Sequence, residues 1–200
     1  MVLLNSNAQH IFWLGRYLAR TQFLCAHFPF AKDEDAIAYA HAFCLPAFDA
    51  SSLNALVLDT TQPASFTQQF QTAKANIHEL RGVLSASAYA ELIQLIRNAD
   101  QNTGYICDVV NDCQDVLEAE SADLFLFFSL GQCLEQLDHA LRFNEASHVT
   151  VAKIDDVVDT LDGMGWSNLQ EYWQKLRTDP DLMHFYQFSD YIHHMFEAEV

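Results

Sequence analysis

Ile11, Leu14, Leu18 and Cys25 recur at near-helical spacing, and Trp13, Tyr17 and Leu24 widen the same apolar face. The pattern predicts a first helix from Asn5 or Ser6, either of which can cap it, to about Phe28, where Pro29 forces a change. Lys32-Asp33-Glu34-Asp35 places acids at the positive end of a second helix that reaches about Cys44, before Pro46. Turn signals gather in 49–65, around a short helix near Leu53–Leu58. A long helix follows from about Ala64 to Leu84, with Thr60 or Thr61 as its cap, and Ser85 opens the next one through Tyr89, Leu92 and Ile96. After Asn102, Ile106, Val109, Val110, Val116 and Leu117 mark another helix, and Ser121 or Asp123 opens one over about 122–144. Helices over about 149–161, 167–177 and 181–197 complete the series, separated by Gly163-Met164-Gly165 and Asp179-Pro180. The reading is an all-α protein, a multi-helix bundle with one or two crossing layers.

Composition strengthens this picture. Six glycines and four prolines in 200 residues leave long stretches without breakers, and an apolar half of the chain excludes a disordered one. The length fits residues 1–200 as a single helical domain or two tightly merged halves. Twenty-seven acidic against ten basic side chains give a net charge of −17, which repels nucleic-acid phosphates and anionic membranes. No stretch of 18 continuous apolar residues predicts a membrane span; LFLFF at 124–128 reads as core. MVLLNSNAQH lacks the basic flank of a signal peptide, and the expected location is cytoplasmic. The five cysteines (25, 44, 107, 113 and 133) are odd in number and form no Cys-x-x-Cys pair, so they are expected to be free, mostly buried thiols in a reducing compartment.

Two helices share a feature. Segments 11–28 and 126–143 both contain Leu-Gly-polar-x-Leu, and Gly15 and Gly131 are 116 positions apart (131 − 15). A helix-interior glycine costs about 1 kcal/mol relative to alanine, so its presence twice in one frame predicts close approach of two helix backbones and an internal pseudo-repeat.

Polar groups stand on these helices. Arg16 and Arg20 are four apart and share a face; Glu135, Asp138 and Arg142, three and four apart, share another. If the glycine helices pack together, arginines can meet carboxylates with two donors matched to two acceptors. Three outcomes are open: an interhelical ion-pair network, a cavity in which Arg16 and Arg20 bind an anionic group oriented by Glu135 or Asp138, or partly exposed ion pairs. Lys74, Asn76, His78 and Arg81 form a third cluster, in which Arg81 is expected to fix a helix end and Tyr89 to fill the core. Asp108, Asp112 and Asp115, and Asp155, Asp156, Asp159 and Asp162, read as solvated helix faces. Asp181, His184, Asp190, His193, His194 and Glu197 lie near the C-terminus on one helix, and polar side chains rather than a metal centre are expected there. No phosphate-cradling glycine loop and no nucleophile elbow occurs, so no catalytic residue and no cofactor is assigned.

On WLGRYLARTQFLCAHF (13–28), AKANIHELRGVLSASAY (73–89) and LGQCLEQLDHALRFNE (130–145), the chain resembles the alpha-E family of all-helical domains with a Glu-Arg motif, as a short and divergent member. Trp13 through Leu18 and Arg20 match the first motif, with Ala19 in place of its glutamate. Asn76, Arg81 and Ser85 match the second, with Tyr89 in place of tryptophan. Glu135, Asp138 and Arg142 match the third, with Gln132 and Gln136 in place of arginines. The resemblance implies association with an ATP-grasp-type ligase of circularly permuted type, often beside a transglutaminase-like peptidase. The function it implies is a noncatalytic accessory or interaction domain of a peptide- or amide-bond-forming system. The alternative is an enzyme subunit whose Arg/carboxylate cavity binds an anionic substrate.

Overall fold

In the computed structural model, residues 4–100, 103–145, 147–166 and 168–197 are described. Asn102 and Ser167, named above at helix starts, and the two ends of the 1–200 domain lie outside the described residues. Among the described residues the chain is all-α, with ten α-helices and no strand. They are α1 (Asn5–His27), α2 (Asp33–Ala42), α3 (Ala50–Leu58), α4 (Phe66–Glu79), α5 (Ala86–Asp100), α6 (Ile106–Glu118), α7 (Ala122–Phe143), α8 (His148–Gly163), α9 (Leu169–Thr178) and α10 (Leu182–Glu197). Among the described residues, no helix is long and apolar enough to cross a membrane.

Two compact units divide the chain: Met1–Arg16 with Glu120–Val200, and Tyr17–Ala119. In the first, the start of α1 and helices α7–α10 enclose an aromatic cluster of Phe12, Phe127, Trp166 and Phe196, whose ring centroids are 5.2 to 6.1 Å apart. Trp173 is fully buried against Phe188, and its indole N–H donates to Asp155 Oδ1 at 2.6 Å. Arg177 reaches the same oxygen at 3.1 Å. Asp155 is therefore half-buried, whereas Asp156, Asp159 and Asp162 of its stripe are exposed, Asp159 accepting from Gln170 Nε2 across to α9. Asn144 ends α7 in the left-handed region at φ 53°, a conformation asparagine tolerates better than most residues, and Glu145 N–H closes back on Ala140 O.

The second unit is built on the rest of α1 and helices α2–α6. Phe66, Phe70, Ala73 and Ile77 on α4, Leu92 and Ile96 on α5, and Val109, Val110, Cys113 and Leu117 on α6 are buried at helical spacing. Ser65, not Thr60 or Thr61, caps α4, its hydroxyl accepting from Gln68 N–H at 3.2 Å. Ser85 accepts from Ala88 N–H at the start of α5. Asp49 and Ser52 form a reciprocal capping box on α3. Asn54 brackets Phe30, donating to its carbonyl and accepting from its N–H, each at 2.9 Å.

One expectation is corrected here. Cys25 on α1 and Cys107 on α6 form a disulfide, with Cα atoms 5.6 Å apart, and only Cys44, Cys113 and Cys133 are free. The two cysteines are 82 positions apart, and spacing alone could not show that their helices pack together. Gln22 and Asn111, one turn away on the same two helices, are hydrogen-bonded at 2.8 Å.

Candidate functional site

Phe12, Gly15 and Arg16 on α1 face Phe128, Gly131 and Gln132 on α7 within the first unit. A Cβ placed on Gly15 would collide with the Phe128 carbonyl oxygen and come within 3.1 Å of Gln132 N. A Cβ on Gly131 would collide with the Phe12 carbonyl oxygen and come within 3.1 Å of Arg16 N. The contact is reciprocal, and each pair of counterparts (12 and 128, 15 and 131, 16 and 132) is separated by 116 positions. Helix backbones can approach so closely only where neither carries a side chain.

That approach sets an ion pair between the same helices. Arg16 Nε and Nη2 both lie 2.9 Å from Glu135 Oε2, in a setting where Arg16 is 7% exposed and Glu135 2%. The Arg16 guanidinium also stands over the Trp13 ring, 5.4 Å from its centroid. Charges removed from water this thoroughly survive only with such partners.

One turn along α7, Asp138 is buried and accepts from Arg142 Nε at 2.9 Å, while Arg142 Nη2 donates to the Tyr186 hydroxyl on α10 at 2.8 Å. Burial pushes the Asp138 carboxyl above its ordinary value, with Glu135 adding to the rise, and Arg142 and Arg16 only partly offset it. For Arg142, burial works against the charge, yet Asp138 and Tyr186 hold it above its ordinary value.

Arg20, Asn76 and Arg81 belong to the second unit. There Arg20 stands 5.8 Å from the Tyr17 ring centroid, and Asn76 donates its amide to Thr72 O at 3.0 Å within α4. Arg81 is exposed and lies over Tyr89, whose hydroxyl is 3.2 Å from His78 Nδ1. Tyr89 is half-buried under these two side chains rather than filling the core.

Sequence reasoning placed Asp181, His184 and His193 among the C-terminal polar side chains but missed two of their contacts. Asp179, Asp181 and His184 bring one potential ligand atom each within 4.8 Å of one another, but Asp181 Oδ1 is engaged as the cap of α10, accepting from His184 N–H at 2.7 Å. His193 packs its ring 5.1 Å from Trp13 and 5.9 Å from Phe12, with Nε2 buried and without a hydrogen-bond partner among the described residues. Its position four residues before the end of α10 carries no signal of that contact. The buried free thiols are poor nucleophiles: burial holds Cys113 at about 12 and Cys133 at about 11.

An all-α protein organised around a glycine-paired helix crossing and a buried arginine–glutamate pair is the class these observations define. The chain belongs to the Alpha-E family, described as a predicted alpha-helical domain with a conserved ER motif, which matches residues 3–178. No Glu-Arg dipeptide occurs anywhere in this chain. No curated protein and no solved structure matches it.

Proposed function

We propose that the chain is a noncatalytic accessory or interaction domain working with an ATP-grasp-type ligase in peptide- or amide-bond formation. The observation that carries the noncatalytic part is the Arg16–Glu135 pair. The guanidinium faces its own carboxylate and the Trp13 ring from inside the helix crossing, an arrangement suited to holding helices rather than to binding a substrate anion. The buried free thiols, pushed upward by burial, are equally unsuited to attack. The ligase partner rests on the family resemblance alone.

The enzyme-subunit reading keeps one observation in its favour. Asp138 holds its proton more tightly than an ordinary carboxyl, a property shared by general acids, and lies beside Arg142 and Tyr186. Native mass spectrometry of the intact protein isolated gently from its own cells separates the two. A reproducible additional protein mass identified as an ATP-grasp ligase is the expected result. A bound small molecule without a protein partner favours the enzyme subunit, and a bare chain overturns the accessory reading.

A further inference from the structure

We propose that His193 is a proton-operated latch, whose neutral ring holds the last turns of α10 against Phe12 and Trp13 and whose protonation releases them. Helix α10 lies beyond the family-matched segment, which ends at residue 178. Its C-terminal portion nonetheless covers the first family motif: His193 meets Trp13 and Phe12, Phe196 meets Phe12 at 5.3 Å, and Asn5 donates to Met195 O at 3.3 Å.

The geometry makes a charged imidazole untenable in place. Nε2 is buried with no acceptor among the described residues, and the charged ring, which carries a proton on both nitrogens, would hold an unmatched donor and a charge there. From α1, the Arg16 guanidinium at the same indole adds like-charge repulsion. Asp190 and Glu197 on α10 itself favour the charge, and α7 supplies Glu135, already bonded to Arg16. Helix α9 meets α10 through uncharged rings, Tyr172 on Tyr191 and Trp173 on Phe188. Burial and Arg16 prevail, and the His193 value lies below the ordinary 6.5. The His193 side chain is only partly covered, so a small outward displacement brings Nε2 to water. Phe185 and Phe188, buried earlier in the helix, stay anchored, which confines the release to the end of α10.

Hydrogen exchange of the full chain, followed by mass spectrometry and corrected for intrinsic rates, tests the latch. Between about pH 7.5 and about pH 5.5, exchange in 192–197 should accelerate, by up to about tenfold, while α7 stays protected. His193→Gln, which keeps a polar side chain but cannot take a proton, should abolish the acceleration. Glu197→Gln, an exposed change, removes a group that favours the charge in the packed state and should enlarge the acceleration at about pH 5.5. No acceleration in the native chain, the same acceleration in His193→Gln, or a smaller acceleration in Glu197→Gln would each overturn the proposal.

Discussion

Gly131 lies so close to the backbone of Phe12 that one added methyl group would meet the Phe12 carbonyl oxygen, and Gly15 stands in the same relation to Phe128. The two glycines therefore fix the crossing of α1 and α7 by backbone contact. Every side chain near the crossing, Arg16 and Glu135 included, takes its position from that approach.

Alanine at either glycine should be destabilising despite its better helix propensity. The neighbouring atoms are main-chain atoms that cannot rotate away, so the helices must separate. An overpacking cost of about 1–3 kcal/mol is expected for Gly15→Ala or Gly131→Ala. Gly163→Ala is the control, since a Cβ there has nothing within 4 Å. Urea unfolding should show the first two midpoints falling and the third unchanged or higher; equal effects at all three sites would refute the crossing as described.

The Arg16–Glu135 pair gives a second prediction. Arg16→Met leaves Glu135 buried without its principal countercharge and should lose about 3–5 kcal/mol. Arg16→Met with Glu135→Leu removes both charges and should recover much of that loss. A double-mutant cycle in urea measures the coupling. Additive losses would mean that the pair does not act as a unit.

How far the sequence made this legible depends on what each signal encodes. Helical periodicity located α1 to within about a residue at each end, because a buried stripe repeats along one helix whatever lies opposite. Gly15 and Gly131 exposed their relationship because a glycine inside a helix is costly unless something needs the space. Cys25 and Cys107 gave no such sign. Each looks like a small core residue, and only the packing of α1 on α6 brings them together. Asp155 was likewise indistinguishable from its solvated neighbours, since its partners Trp173 and Arg177 come from another helix. His193 was hidden for the same reason. Arg16 and Glu135 could be placed on faces, whereas their mutual pairing is a tertiary fact.

The disulfide should stabilise the second unit by constraining its unfolded chain. For a loop closed across 82 positions the chain-entropy expectation is about 4.5 kcal/mol, an upper figure where the reduced chain retains structure. Adding a phosphine reductant should lower the thermal midpoint of the native protein. Cys25→Ser with Cys107→Ser should start from the lowered midpoint and not respond further. In the unreduced protein, iodoacetamide should label the exposed Cys44 and spare buried Cys113 and Cys133. Labelling at Cys25 without reductant would contradict the bridge.

Asp138 makes a pH prediction of unusual sign. Its folded value lies above the ordinary 3.8 because burial, reinforced by Glu135, outweighs Arg142. The folded protein therefore binds this proton more tightly than the unfolded chain does. The contribution is fully present below the ordinary value and is lost as pH rises through the folded value. Asp138→Asn keeps the shape and resembles the protonated acid, so native and variant stabilities should be similar near about pH 4. At neutral pH the variant should be the more stable, because the native protein then holds a carboxylate where burial opposes it. Urea midpoints measured from about pH 7 to about pH 4 trace the difference. A variant that is less stable at neutral pH, and recovers only on acidification, would mean that the Arg142 pair outweighs burial and that Asp138 is a stabilising anion.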